Sequence, residues 1–266
     1  MLTLTVLGCD GSHPGPGGGP GPRPPGVGSG AGSGYLVRWW PDAQALWLDA
    51  GPGTFAALQR ACDPRRLSAV VLTHRHVDHC SDLAGFVAAA RWVWGWERDP
   101  LPVFAASGVR AELGAVIEDA LLPGGRTGRP VLSWHEVGDG DTVTVGPVSI
   151  RFASTDHGPP TVAARLDVGG RALGYSADTG PRWPLAALGH DLDLALCEAS
   201  YTQEHEGTAL HMSGRQAGAA ARAARARRLV ITHRWPSIDA HAVAAEAAAA
   251  FAGPVETAVA GRGFSL

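Results

Sequence analysis

The order of apolar runs along this chain predicts an α/β fold of two sheets covered by helices, not one doubly wound sheet. Three observations carry that expectation. Runs with strand character come early and late, with helical runs between and after them. The 266 residues suffice for one large domain, 1–266, with a core that needs no disulfides. No segment recurs at the periods of about 20 to 50 residues that mark solenoids.

Leu2–Gly8 alternates as a strand does. Residues 11–34 are mostly Gly, Pro and Ser, which cannot build a core and predict a flexible loop. Tyr35-Leu36-Val37 and Ala45-Leu46-Trp47-Leu48 flank Pro41 and Asp42 as the strands of a hairpin would, and Asp49-Ala50-Gly51 ends the second strand. Residues 53–62 suit a helix, 69–72 a buried strand and 82–92 another helix. There follow a helix (Val109–Leu121), strands at 149–153, 161–166, 172–176 and 192–197, and a helix at 213–226. Strand Leu229–Thr232, an Ala-rich helix at 239–251 and a last strand complete the chain.

A net charge of −3 gives no global attraction for a polyanion and favours a small substrate over nucleic acid. Every cationic side chain is Arg and none is Lys, which reads as codon bias rather than chemistry. Cys9, Cys62, Cys80 and Cys197 lie far apart with no Cys-x-x-Cys pair, which fits a reducing cytoplasm. Val6-Leu7-Gly8-Cys9 has the outline of a lipoprotein box but lacks a basic region before it, so a first strand is the better reading. No apolar stretch approaches the roughly 20 residues that cross a bilayer, so no membrane partner is expected.

The chemistry concentrates in Thr73-His74-Arg75-His76-Val77-Asp78-His79, directly after the apolar strand at 69–72. Three imidazoles and a carboxylate in six residues supply nitrogen and oxygen donors suited to Zn²⁺ or similar ions. Three later loops repeat the pattern of an apolar strand followed by one donor: His157, Asp178 and His233. Alone, each would read as a structural histidine or a turn aspartate. Their recurrence beside the first cluster points to a shared metal centre. Cys80, next to the last donor of that cluster, reads as packing. His13, His135, His190, His205 and His241 have no motif around them and read as surface or capping residues.

His-x-His-x-Asp-His, then His, then Ser-x-Asp-Thr-Gly, then Thr-His resembles the metallo-β-lactamase superfamily along nearly the whole chain. The resemblance implies a four-layer αββα sandwich and two divalent ions, Zn²⁺ with Mn²⁺ or Fe²⁺ as alternatives. His74, His76 and His157 would hold one, Asp78, His79 and His233 the other, and Asp178 would bridge them. The di-iron redox branch has a glutamate where this chain has His76, so hydrolysis is the expected reaction.

Cys197-Glu198-Ala199-Ser200 and His211-Met212-Ser213 narrow the resemblance to ribonuclease Z and its small phosphodiesterase relatives. It implies that His211, 22 positions before His233, donates a proton or stabilises phosphate, and that Asp78 orients a metal-bridging hydroxide. The other reading of His211 is a neighbour of the cap of the helix beginning near Ser213. Ribonuclease Z-like enzymes carry a basic, Gly-rich arm that in the common short form lies between the third and fourth ligand motifs. Here His157 and Asp178 are only 21 positions apart, which leaves room for two strands and no arm, and the loop near Arg23 carries a single charge.

The expected function is therefore a binuclear phosphodiesterase for a small substrate such as a 3′,5′-cyclic nucleotide. The alternatives are a ribonuclease Z-like RNA 3′-end endonuclease and an acyl-ester or thioester hydrolase of the same fold. Trp92, Trp94 and Trp96 alternate as in an extended segment and are candidates to stack a nucleobase, against a role in the core or in a dimer interface. A homodimer is implied by the resemblance alone.

Overall fold

A computed structural model describes residues 1–16, 29–41, 44–121 and 130–266. Its strands form two seven-stranded sheets. The first contains β1 (Leu2–Gly8), β2 (Gly34–Trp39), β3 (Gln44–Ala50), β4 (Leu67–Leu72), β5 (Leu101–Ala106), β6 (Leu132–Val137) and β14 (Gly263–Ser265), in the order β14-β1-β2-β3-β4-β5-β6. The second contains β7 (Thr142–Val145), β8 (Val148–Ser154), β9 (Val162–Val168), β10 (Arg171–Tyr175), β11 (Leu194–Glu198), β12 (Leu229–Thr232) and β13 (Val255–Thr257), in the order β13-β12-β11-β10-β9-β8-β7.

Period-two alternation explains the layers. In β11, Leu194 and Leu196 join the main core with Leu4, Leu36, Leu46 and Val71 of the first sheet. Ala195 and Cys197 face the other way, into a second core that includes Leu229 and Ile231 of β12. That outer core is covered by the helices Gly214–Ala223 (α5) and Ala240–Phe251 (α6), which contribute Ala217, Ala221, Val243 and Ala247. Strands covered on both faces have no polar face to show, which is why they read as continuous apolar runs. On the far side of the first sheet, helices Thr54–Ala61 (α1) and Leu83–Ala89 (α3) bury Leu58, Leu83 and Phe86. The αββα sandwich is thus present.

Several local expectations are corrected. The helix at 82–92 is not followed by an extended tryptophan segment: it continues as one π-helical turn, Ala90–Trp94, and stops at Gly95, whose φ of 62° is left-handed. Of the loop expected at 11–34, residues 17–28 lie outside the described residues, as do 42–43 in the hairpin. Its described ends are ordered by the buried Asp10 carboxylate, which accepts the backbone N–H groups of Gly15, Ser29 and Gly30, and Gly34 already belongs to β2. The last strand is two strands, one in each sheet. Among the described residues, no helix is long and apolar enough to cross a membrane.

Candidate metal centre and cleft

The seven candidate donors meet where the two sheets' strand ends converge. β3 and β4 are parallel, as are β10, β11 and β12, while β8 and β10 both run antiparallel to β9. Loops leaving the carboxyl ends of these strands therefore open on one edge of the sandwich. His74 and His76 leave β4, and Asp78 and His79 sit in the single-turn helix Val77–Cys80 (α2). His157 follows β8, Asp178 follows β10 and His233 follows β12.

Their atoms converge as two groups. His74 Nε2 and His76 Nδ1 are 3.1 Å apart, and His157 Nε2 is 3.4 Å from His76 Nδ1. Asp178 Oδ2 lies 3.5 Å from His74 Nε2 and 3.8 Å from His157 Nε2. In the second group, Asp78 Oδ2 is 3.7 Å from His79 Nε2 and 3.3 Å from His233 Nε2. Asp178 reaches this group too, its Oδ1 standing 3.2 Å from His79 Nε2 and its Oδ2 3.3 Å from His233 Nε2.

The outward ring nitrogens decide what the inward ones do. His79 Nδ1–H donates to Asp49 Oδ2 at 2.8 Å, His157 Nδ1–H to the Leu210 carbonyl and His233 Nδ1–H to Ser200 Oγ. His74 Nδ1–H donates to Thr73 Oγ1, whose own proton goes to Asp49. Each Nε2 is left with a lone pair facing the cage. Ligands about 2.0–2.2 Å from one tetrahedral ion stand about 3.3 Å from each other, so the donor spacings fit metal binding. Among the described residues, His79 Nε2 and Asp178 Oδ1 are buried without a hydrogen bond, as atoms that serve an ion would be.

Charge is concentrated here. Burial opposes ionisation of Asp178, but the imidazoles of His233, His79 and His74 outweigh it and hold the carboxyl well below its ordinary range. Burial, followed by the neighbouring His79, pushes His74 well down and keeps it neutral, as a ligand must be. Burial also opposes a charge on His79, yet Asp178, Asp78 and Asp49 together push it well above its ordinary value. A bound cation would replace that proton.

The metal loop is closely wrapped by backbone. A Cβ on Gly51 would lie 2.0 Å from the Asp78 carbonyl oxygen, and one on Gly11 2.6 Å from that of His233. Ser12 N–H donates to Asp78 Oδ2 at 2.7 Å. Asp49, Ala177 and His233 all hold left-handed φ values of 51–56°, so three non-glycine residues at this edge carry backbone strain.

Beside the cage stands a second dyad. His211 Nδ1–H donates to Glu198 Oε1 at 2.9 Å, and Glu198 also accepts from Thr179 N–H, Met212 N–H and Ser200 Oγ–H. Burial works against a charged His211, but Glu198, as charge and as hydrogen-bond acceptor, and then Asp178 push its pKa up to about 9. The cleft above cage and dyad encloses about 670 Å³, and its walls include Arg75, Val77, Glu112, Pro159 and Trp235.

A family model described as the beta-lactamase superfamily domain matches residues 45–234, which span the two groups of donors. The chain belongs to this family. The uncharacterized protein ML1173 of Mycobacterium leprae is 34% identical over 99% of this chain and 88% of its own length. Ribonuclease Z of Mycobacterium avium is 35% identical over 80% of this chain and 85% of its own. The crystal structure of the metallo-β-lactamase fold protein YhfI of Bacillus subtilis superposes with a TM-score of 0.83 at 24% identity, covering 99% of this chain and 98% of that one. Members of the superfamily are metal-dependent hydrolases, and the His/Asp cage gathers the residues of this chain that could hold metal ions.

The structure brings all seven expected ligands and His211 together, but not the tryptophans. Trp94 and Trp96 pack edge-on against Phe86 at 5.7 and 5.6 Å, while Trp92 is exposed, and none of the three lines the cleft. The π turn fixes them there, in a cluster with Phe55. His13, His135, His190, His205 and His241 also stand apart from the cleft lining. Cys80 is buried, its thiol pushed up to about 12 by burial, and belongs to no donor group. Sequence reasoning passed over Asp49, read as a strand end, and Trp235. The signal for Asp49 was its place at a strand terminus on the same edge as the ligands. For Trp235 it was adjacency to His233.

Proposed function

We propose that this chain is a binuclear metal-dependent phosphodiesterase acting on a compact substrate of the 3′,5′-cyclic nucleotide kind. The observation that carries the reading is the dyad of His211, on the cleft wall, with the buried Glu198 behind it, an acid held charged beside a cage for two cations. In this reading His74, His76 and His157 hold one ion, Asp78, His79 and His233 the other, with Asp178 between them. When bound, two divalent ions acidify water and offset the charge that gathers on phosphoryl oxygens.

The chain's own groups supply the rest. Asp78, aimed by the Ser12 amide, offers a carboxylate oxygen to orient the attacking water. His211 keeps its Nδ1 on Glu198, which leaves the other nitrogen's proton for the substrate. As the P–O ester bond breaks, that proton passes to the departing alkoxide. Before then, the imidazolium offsets negative charge on the phosphorane oxygens. Glu198 fixes the tautomer by accepting from Nδ1.

Substrate size follows from what surrounds the cage. Between His157 and Asp178 the chain makes only β9, the Gly169-Gly170 turn and β10, with no inserted arm to hold a tRNA. A cleft of about 670 Å³ suits a nucleotide-sized molecule. The likeness to a ribonuclease Z supports phosphodiester chemistry and keeps RNA 3′-end cleavage as the second reading. An acyl-ester or thioester hydrolase would have no use for the dyad.

Turnover of 3′,5′-cyclic AMP, a precursor tRNA and an acyl thioester by the same metal-loaded preparation tests the assignment. Cleavage of the cyclic nucleotide without the tRNA is the expected result. Cleavage of the thioester alone contradicts it.

A further inference from the structure

The cleft holds more apolar surface than a phosphate requires. Val77, at the start of α2, is 69% exposed although it lies between two metal-loop residues, and Pro159 and Trp235 line the same cleft. Val77 belongs to the first sheet's loop, whereas Pro159 and Trp235 leave strands of the second, so the apolar lining is shared by both lips. Trp235 is the aromatic residue of that lining, and it is firmly set. Its backbone N–H donates to the Ser200 carbonyl, and its ring stands edge-on to Tyr201 at 5.5 Å and to His211 at 6.1 Å. The indole N–H is buried with no hydrogen-bond partner among the described residues, so that edge points into the protein, and it is the rest of the indole that the cleft can use.

We infer that Trp235 is the nucleobase-binding residue of this site. The inference rests on the phosphodiesterase reading and names the feature of the substrate that lies beyond the phosphate. An indole fixed beside the proton donor sets the base where its π face stacks, while the phosphodiester reaches His211 and the cage. Stacking tolerates any base, so Trp235 selects nucleotides as a class rather than adenine over guanine. Arg75 and Glu112, an ion pair on the cleft wall, add polar groups but no face to stack on.

Two measurements on wild type, Trp235→Ala and Trp235→Phe test it, with metal content determined for each. The first is the ratio of kcat/KM for 3′,5′-cyclic AMP to that for a methyl riboside 3′,5′-cyclic phosphate, which has the same phosphodiester and no base. The second is the affinity for 5′-AMP by titration calorimetry, which needs no turnover. In Trp235→Ala the preference for the nucleotide shrinks by about ten-fold and AMP binding weakens by a similar factor, with Trp235→Phe retaining most of both. Equal losses on the two substrates make Trp235 a support for His211 alone and overturn the inference, as does AMP binding indifferent to both substitutions. Trp235-dependent AMP binding without hydrolysis of either phosphodiester sustains the inference and refutes the phosphodiesterase reading instead.

Discussion

Asp49 shows what a single buried carboxylate does here. It is fully buried and accepts from Thr73 N–H and Oγ1–H, from Tyr175 O–H and from His79 Nδ1–H, each at 2.8 Å. Through Thr73 it also orients His74, so one side chain aims a ligand in each donor group. Asp49→Ala is expected to weaken zinc binding by about 10- to 100-fold in a competition titration with a chromophoric chelator. Glu198→Gln makes a different prediction. The folded pKa of His211, pushed up to about 9, lies above its ordinary value of 6.5. The ion pair therefore stabilises the fold fully below about pH 6.5 and loses that contribution as pH rises through about 9. The acid form that the proposed proton transfer uses is lost over the same upper range. In Glu198→Gln the alkaline limb of the kcat profile moves down by a unit or more, and a profile that keeps its wild-type limb contradicts the dyad. The ligands were legible because each follows an apolar strand. Asp49 was not, because a carboxylate at a strand end looks like any turn residue until its four donors are in place.

Elements show where pattern reading succeeds and where it stops. β4, β10, β11 and β12 are covered on both faces and stand out as apolar runs. β6 and β7 are the outermost strands of their sheets, partly exposed and polar, so Leu132–Val137 and Thr142–Val145 carry a weaker signal. β5 is disguised by Pro102, which precedes Val103, where pairing with β4 begins, and so leaves no ladder bond unmade. α5 starts with a capping box between Ser213 and Gln216, and Ser213 Oγ–H also donates to Glu206, which pairs with Arg215. His211 is two residues from the cap, so the capping reading of the His-x-Ser segment holds and leaves room beside it for the proposed proton donor. Ser213→Ala should cost about 1 kcal/mol in urea unfolding and, by loosening the segment that carries His211, lower kcat as well. Lost stability with an unaltered kcat would show that cap and donor are uncoupled.

At the scale of the molecule, the donors divide between the sheets: His74, His76, Asp78 and His79 from the first, His157, Asp178 and His233 from the second. Each donor group draws on both, so ions bound there would staple the two layers across their shared edge. Metal should then add stability, about 2.7 kcal/mol for a site at a hundred-fold excess over its Kd. Stripping with a chelator should lower Tm, and a Tm indifferent to metal would mean that the cage is not an inter-sheet link. The sandwich could be inferred from the order of strand and helix signals, but which strand ends face each other across the sheets depends on long-range pairing that no local pattern encodes. A cage for two ions with His211 as the proposed proton donor joins these scales. Its most direct test is the metal stoichiometry and the rate of cyclic AMP hydrolysis of His211→Ala beside wild type. Two ions are expected in both proteins, with a kcat lower by about 10²- to 10⁴-fold in the variant. Undiminished turnover with both ions bound would contradict it.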